Sequence, residues 1–237
     1  MTTREPRRSS RRVAYEVLRR QIIALDLKPG SALSENEIAA SLGVSRTPVR
    51  ESLIILSEEG LVQIFPKVGS FVSRIDPAKV GDAQFLREAV ELASLSDLPP
   101  ELDPEVVRRL SANLEQQHEK GIELETFFRL DEEFHQGLLA LAGHGSVWPI
   151  VAAAKGHLDR ARKFELMDAH ATLKYADEHS EIFEAVAGGD LDAARAHLRA
   201  HLRDIFEHIE RLRKRSPELF SSSTRGVPVR RSVAVWE

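Results

Sequence analysis

Residues 33–72 read LSENEIAASLGVSRTPVRESLIILSEEGLVQIFPKVGSFV, and the order of signals inside this stretch decides the fold. Ser34-Glu35-Asn36-Glu37 is a capping box, in which a serine hydroxyl and a glutamate three residues later satisfy free amides at a helix start. It predicts a short helix from about Glu35 to Leu42, and Gly43 supplies the turn that follows. Ser45 is a second N-cap, and Pro48 fits the first turn of the next helix because no intrahelical donor is needed there. That helix turns Val49, Leu53 and Leu56 inward and ends before Gly60. Two helices joined by so short a turn, the second opening on Arg46, Thr47 and Arg50, have helix-turn-helix geometry. The first turn of the second helix is where side chains reach base edges in the major groove, and the arginine fork matches the two acceptors of guanine. Leu61–Phe65 and Ser70–Ser73 then read as a hairpin around Pro66-Lys67-Val68-Gly69. Such a wing can set Lys67 and the Gly69 backbone against a phosphate or the minor groove.

Upstream, Val13, Val17, Leu18 and Ile22 give an apolar side to a helix from about Arg11 to Leu25, stopped by Lys28-Pro29-Gly30. Residues 1–10 are Arg/Ser/Pro-rich and read as a flexible arm. Charge divides the chain at the same place as pattern. Residues 1–75 hold 12 Lys/Arg against 8 Asp/Glu, residues 76–215 hold 18 against 27, and residues 216–237 hold 3 against 2. A basic front unit (11–75) on a larger acidic one suggests a part that meets a polyanion and a part with another task. The formal net charge of −4 conceals this division.

The chain has no cysteine, which excludes disulfides, thiolate catalysis and sulfur-ligated zinc and fits a reducing interior. No apolar stretch approaches the roughly 20 residues that span a bilayer. MTTREPRRSSRR lacks the apolar core of a secretory signal, so a cytoplasmic protein with no membrane partner is expected.

Beyond Asp76 strand signals almost vanish. Helical patterns fit about 77–94, 104–119, 123–142, 146–166, 170–187 and 190–214, separated by Leu98-Pro99-Pro100, Gly121, Gly143-His144-Gly145, Met167-Asp168 and Gly188-Gly189. About six helices with short connections predict an antiparallel bundle over 76–215, followed by a C-terminal tail, 216–237, whose VPVRRSVAVWE is open to disorder or to strand addition. The chain is thus expected to be mainly α, a winged helix-turn-helix with a small β-hairpin followed by this bundle. Asp131 and His135 are four apart, share a helix face and can clasp one cation, and His179 and His201 lie in later amphipathic runs. One carboxylate and three imidazoles suit Zn²⁺ first, with Ni²⁺, Co²⁺ or Mn²⁺ as alternatives. From spacing alone the set stays open: His197 and His201 form a second such pair, and His118, His144, His157, His170 and His208 are rivals.

The stretch 33–72, and GVSRTPVRESL above all, resembles the winged helix-turn-helix of GntR-family transcriptional regulators. The resemblance implies that Arg46, Thr47 and Arg50 contact double-stranded operator DNA, with Ser45 near a phosphate and Gly69 at the wing tip. Asn36 stands where the family often has a basic residue, so operator preference does not carry over. DEEFHQGLLALAG, EHSEIFEAVAGGDLDAARAHLRAHL and LREAVELA resemble the FCD ligand-binding domain of the FadR-like branch, and the helix count points to its shorter VanR-like form. The metal-binding version of that domain places its ligands on Asp131, His135, His179 and His201, and leaves His197 out. Arg87 matches a position that commonly faces the effector cavity, with Arg160 a second candidate and Arg162 its rival. A guanidinium beside a divalent ion is a good receptor for a small organic acid. The implied protein is a homodimeric regulator, most often a repressor, on paired half-sites. A structural or directly sensed metal is one alternative. A metal-dependent hydrolase is another, but no separate general base is evident and an enzyme leaves Arg46 and Arg50 unexplained.

Overall fold

The computed structural model describes residues 9–166 and 169–221. The N-terminal arm up to residue 8, the break at Met167-Asp168, the side chain of His170 and the tail from residue 222 lie outside the described residues.

Helix α1 (Ser10–Ile23) starts at Ser9, whose hydroxyl accepts the Arg12 amide at 3.3 Å. Helix α2 (Glu35–Leu42) is capped by Ser34, which accepts the Glu37 amide at 3.3 Å, and ends on Gly43 at φ 63°. Helix α3 (Arg46–Glu58) follows at once. Its Ser52 hydroxyl lies 2.8 Å from the Arg11 carbonyl, tying α3 to the start of α1. Strands β2 (Val62–Phe65) and β3 (Gly69–Val72) form the expected hairpin, in register Val62↔Val72 and Phe65↔Gly69. A third strand, β1 (Ala32–Leu33), pairs antiparallel with the other edge of β3, so the sheet order is β1-β3-β2. Two residues carry no alternation, so the sequence gives no signal for it. Leu18, Ile22, Val49, Leu53, Leu56, Leu61 and Val72 close one core beneath these elements.

The rear part contains α4 (Pro77–Ser94), α5 (Pro104–Gln117), α6 (Leu124–Leu141), α7 (Trp148–Ala154), α8 (Gly156–Leu166), α9 (Ala169–Ala187), α10 (Leu191–Arg203) and α11 (Ile205–Arg215). Among the described residues, eight α-helices replace the six expected because two long patterns are broken. The first break is at Lys155, whose buried ammonium binds Glu132 and Asp159. Gly156 then packs on the winged part, where an added Cβ would lie 2.9 Å from Leu61 Cδ2. The second break is at Asp204, whose amide reaches the His201 carbonyl at 3.4 Å, one residue short of an α-helical bond. Its carboxylate gathers Lys174 at 2.5 Å, the Tyr175 hydroxyl at 3.2 Å and His208 at 3.1 Å. The helix count behind the VanR-like expectation is therefore different.

Phe134, Leu138, Leu110, Ile182 and Leu198 form the main core of the bundle, each burial contributing about 1.5–3 kcal/mol before conformational entropy is set against it. Asp131, Phe134, His135 and Leu138 lie on one inward stripe of α6, so the helix that supplies the core also supplies the polar site. The start of the C-terminal tail is ordered against the linker: Ile75 donates to the Leu219 carbonyl at 2.9 Å, and Ser221 donates back to Ile75 at 2.8 Å. Among the described residues no helix is long and apolar enough to cross a membrane.

Candidate metal centre and nucleic-acid interface

Ser45, the N-cap of α3, and Arg46, Thr47 and Arg50 on its first turns are all exposed. The Ser45 hydroxyl makes no capping bond, so it is available to a phosphate. Arg46 reaches Glu35 of α2 at 3.0 Å, a contact that holds the guanidinium at the mouth of the helix pair. Lys67 and Gly69 lie exposed at the hairpin tip, with positive φ of 63° and 140°. The geometry thus gathers the six expected DNA-contacting residues on α3 and the wing.

In the bundle, Asp131, His135, His179 and His201 come together from α6, α9 and α10, with ligand atoms all within 4.8 Å of one another. Asp131, His135 and His179 are 0 % exposed and His201 5 %. The protonation of each ring follows from its outer neighbours. His135 Nδ1 meets Glu91 Oε2 at 2.6 Å and His201 Nδ1 meets Glu178 Oε2 at 2.8 Å. His179 Nδ1 meets Gln117 Oε1 at 2.7 Å. That amide is oriented in turn: Gln117 Nε2 donates to Asn113 Oδ1 at 2.7 Å, and Asn113 Nδ2 donates to the Leu130 carbonyl at 3.0 Å. With these acceptors each ring keeps its proton on Nδ1 and turns a lone pair inward at Nε2. His201 Nε2 then lies 3.3 Å from both His135 Nε2 and His179 Nε2, and Asp131 Oδ1 lies 3.5 Å from His179 Nε2.

Three lone pairs and a carboxylate pointed at one another repel unless a cation lies among them. The donor set fits a divalent metal ion, and the carboxylate or amide behind each imidazole is the outer support that fixes metal-binding rings. Burial holds all three imidazoles well below their usual pKa, His135 further through Arg87, His179 through His201 and His201 through His135. Burial raises the Asp131 carboxyl, but the charge and hydrogen bonds of Arg162 outweigh it and hold the group well below the usual range.

The arginines divide differently from expectation. Arg87 is buried and donates through Nε to Glu91 at 2.6 Å, which places it behind His135. Its Nη2 is a buried donor with no partner among the described residues, as is Gln84 Nε2 one turn earlier on α4. Arg160 does not line the cluster. Its guanidinium turns to the winged part and donates to the Ser73 carbonyl at 2.7 Å. The rival Arg162 takes the inward face, gripping Asp131 through two bonds of 2.6 and 2.8 Å. Two residues apart on a helix are about 200° apart in direction, so both cannot face the cluster. His118 and His144 instead reach Asp177 and Asp97 at the surface, and His197 reaches Glu181. Glu91, Gln117 and Asn113 were not singled out in the sequence, because one-turn spacing and charge mark no outer support of this kind.

Fold and site together define a winged-helix DNA-binding regulator with an all-helical regulatory bundle. The sequence matches the bacterial regulatory proteins of the gntR family over residues 10–72 and the FCD domain over residues 82–204. It is 60% identical over 230 residues to an uncharacterized HTH-type transcriptional regulator in an unstable DNA locus of Streptomyces ambofaciens, covering 97% of this chain and 98% of the relative. The HTH-type transcriptional repressor RspR of Escherichia coli K12 is 34% identical over 87% of this chain and 92% of its own length. A solved GntR transcriptional regulator from Rhodococcus sp. RHA1 superposes with a TM-score of 0.71 at 28% identity, over 85% of this chain and 97% of that one. The chain belongs to the gntR family of bacterial regulatory proteins and carries an FCD domain. It is a DNA-binding transcriptional regulator and not an enzyme.

Proposed function

We propose that this chain is a cytoplasmic, homodimeric repressor. In this reading its affinity for paired operator half-sites is set by a small organic acid bound beside a divalent metal ion in the bundle. The observation that carries the reading is the convergence of three inward-facing Nε2 atoms on Asp131. Asp131, His135, His179 and His201 would hold the ion, Zn²⁺ before Ni²⁺, Co²⁺ or Mn²⁺. The ion would supply a Lewis-acid anchor for a carboxylate oxygen. Arg87 would orient that carboxylate, since its buried Nη2 lacks an acceptor among the described residues. Repression is supported by the name of the Escherichia coli relative. Dimerisation is supported by the exposed Phe85 on α4 and Ile150 on the adjoining α7.

The test is a titration of the DNA upstream of the protein's own gene with candidate organic acids, using metal-loaded protein and light scattering to weigh it. Acid-dependent release of DNA from a species of twice the chain mass is expected. Specific binding that ignores both metal and every acid would overturn the metal-centred part. One observation favours a second reading, a directly sensed or structural metal: the cluster is sealed from solvent. DNA affinity that follows Zn²⁺ alone, with no acid effect, would select it.

A further inference from the structure

The junction between the winged part and the bundle holds a second buried guanidinium, and it is poorly matched. Arg160 is 0 % exposed, yet its bonds go to neutral groups: the Ser73 carbonyl at 2.7 Å, Ser73 Oγ at 3.3 Å and His157 Nδ1 at 3.1 Å. Its Nε has no partner among the described residues. A buried cation with neutral acceptors and one orphan donor is a costly arrangement, and burial pulls the group down to about 10.

Beside it, His157 Nδ1 accepts the Asp76 amide at 3.0 Å, so its proton sits on Nε2 and is donated to the Gly60 carbonyl at 3.0 Å. Gly60 closes α3 at φ 76°, and its carbonyl also receives the Ser73 hydroxyl at 2.6 Å. Ser73 directly follows β3. The first two turns of α8 therefore hold the end of the recognition helix, the exit of the wing and the linker at Asp76. On the other side of the same 11-residue helix, Arg162 grips Asp131 of the histidine cluster.

We infer that α8 couples the cluster to the DNA-reading head, with His157 and Arg160 as positioning residues that fix α3 and the wing through Gly60 and Ser73. The inference rests on the metal reading above. A cation among the histidines and the guanidinium of Arg162 compete for Asp131. Occupancy therefore changes the pull on α8, and the under-satisfied contacts of Arg160 let the far side re-seat at little cost.

Linkage supplies the test, because two coupled sites change each other's affinity by the same factor, typically about 5–150-fold. Zn²⁺ affinity is measured with and without a labelled upstream DNA fragment, and DNA affinity with and without Zn²⁺. In wild type the two factors should agree and exceed about 5-fold. In Arg160→Met, which removes the buried charge at similar length, the factor should fall toward one while Zn²⁺ affinity is unchanged. A purely structural role would weaken binding without abolishing the coupling. If Arg160→Met does not fold, His157→Gln is read in the same way. A wild-type factor retained in the variant, or Zn²⁺ binding in wild type without coupling, overturns the relay and leaves the metal site standing. Absence of Zn²⁺ binding in wild type overturns both.

Discussion

Asp131 joins two opposing demands: it faces three imidazole lone pairs, and it is the carboxylate that neutralises the buried Arg162. Removing its charge strands a guanidinium in the core, so Asp131→Asn should destabilise the metal-free protein by about 3–5 kcal/mol. Urea unfolding would measure this, and a loss below about 1 kcal/mol, the level of an exposed pair, would contradict it. His157 gives a pH signature. Burial, and then the charge of Arg160, pull it down to about 3 in the folded chain, against about 6.5 unfolded. The unfolded state therefore binds the extra proton, and this stabilisation is present above about pH 6.5 and declines as pH falls toward 3, by about 1.4 kcal/mol per pH unit. Because His135, His179 and His201 are depressed too, His157→Gln should lower the slope in this range by about 1.4 kcal/mol per pH unit without removing it, and an unchanged slope would contradict the assignment. Of these residues, Asp131 and His135 were legible from one-turn spacing, whereas His179 and His201 needed family resemblance to be chosen among nine histidines. The choice between Arg160 and Arg162 was not legible, because it depends on which side of α8 meets the winged part.

Helix α3 carries the proposed reading surface at one end and is followed at the other by Gly60, which takes the α8 contact. Arg50→Ala should cost about 1–3 kcal/mol of operator binding and relax base preference, while Lys67→Ala should weaken binding evenly and lower the salt dependence. A binding titration across salt and operator variants separates the two, and equal effects on all sequences would remove Arg50 from base reading. Gly60→Ala should be poorly tolerated, since φ is 76°, in the left-handed region that a side chain with a Cβ rarely adopts. The expected cost is about 1–3 kcal/mol of thermal stability. At this level the sequence was most readable where caps and turns are local: Ser34, Gly43, Ser45 and the Pro66–Gly69 hairpin all precede or follow the elements predicted. The two breaks at Lys155 and Asp204 were hidden because each is imposed by distant partners, Glu132 for one and Lys174 and Tyr175 for the other. An amphipathic pattern runs through both without interruption.

Taken together, a basic winged part and an acidic bundle meet mainly along α8, with Arg19 of α1 also donating to the Ala152 carbonyl of α7 at 2.9 Å, and the bundle encloses one carboxylate and three imidazoles. The charge division explains how a protein of net charge −4 can still approach DNA, because the polyanion meets the front part. Everything proposed for regulation depends on whether the four converging side chains hold an ion. The direct measurement is the metal content of gently purified protein, by elemental mass spectrometry, for wild type and for a His135→Ala/His201→Ala variant that remains folded by circular dichroism. About one divalent ion per chain in wild type, lost in the variant, is the predicted result. Metal-free wild type that stays metal-free on exposure to Zn²⁺, or equal metal in both proteins, would contradict it.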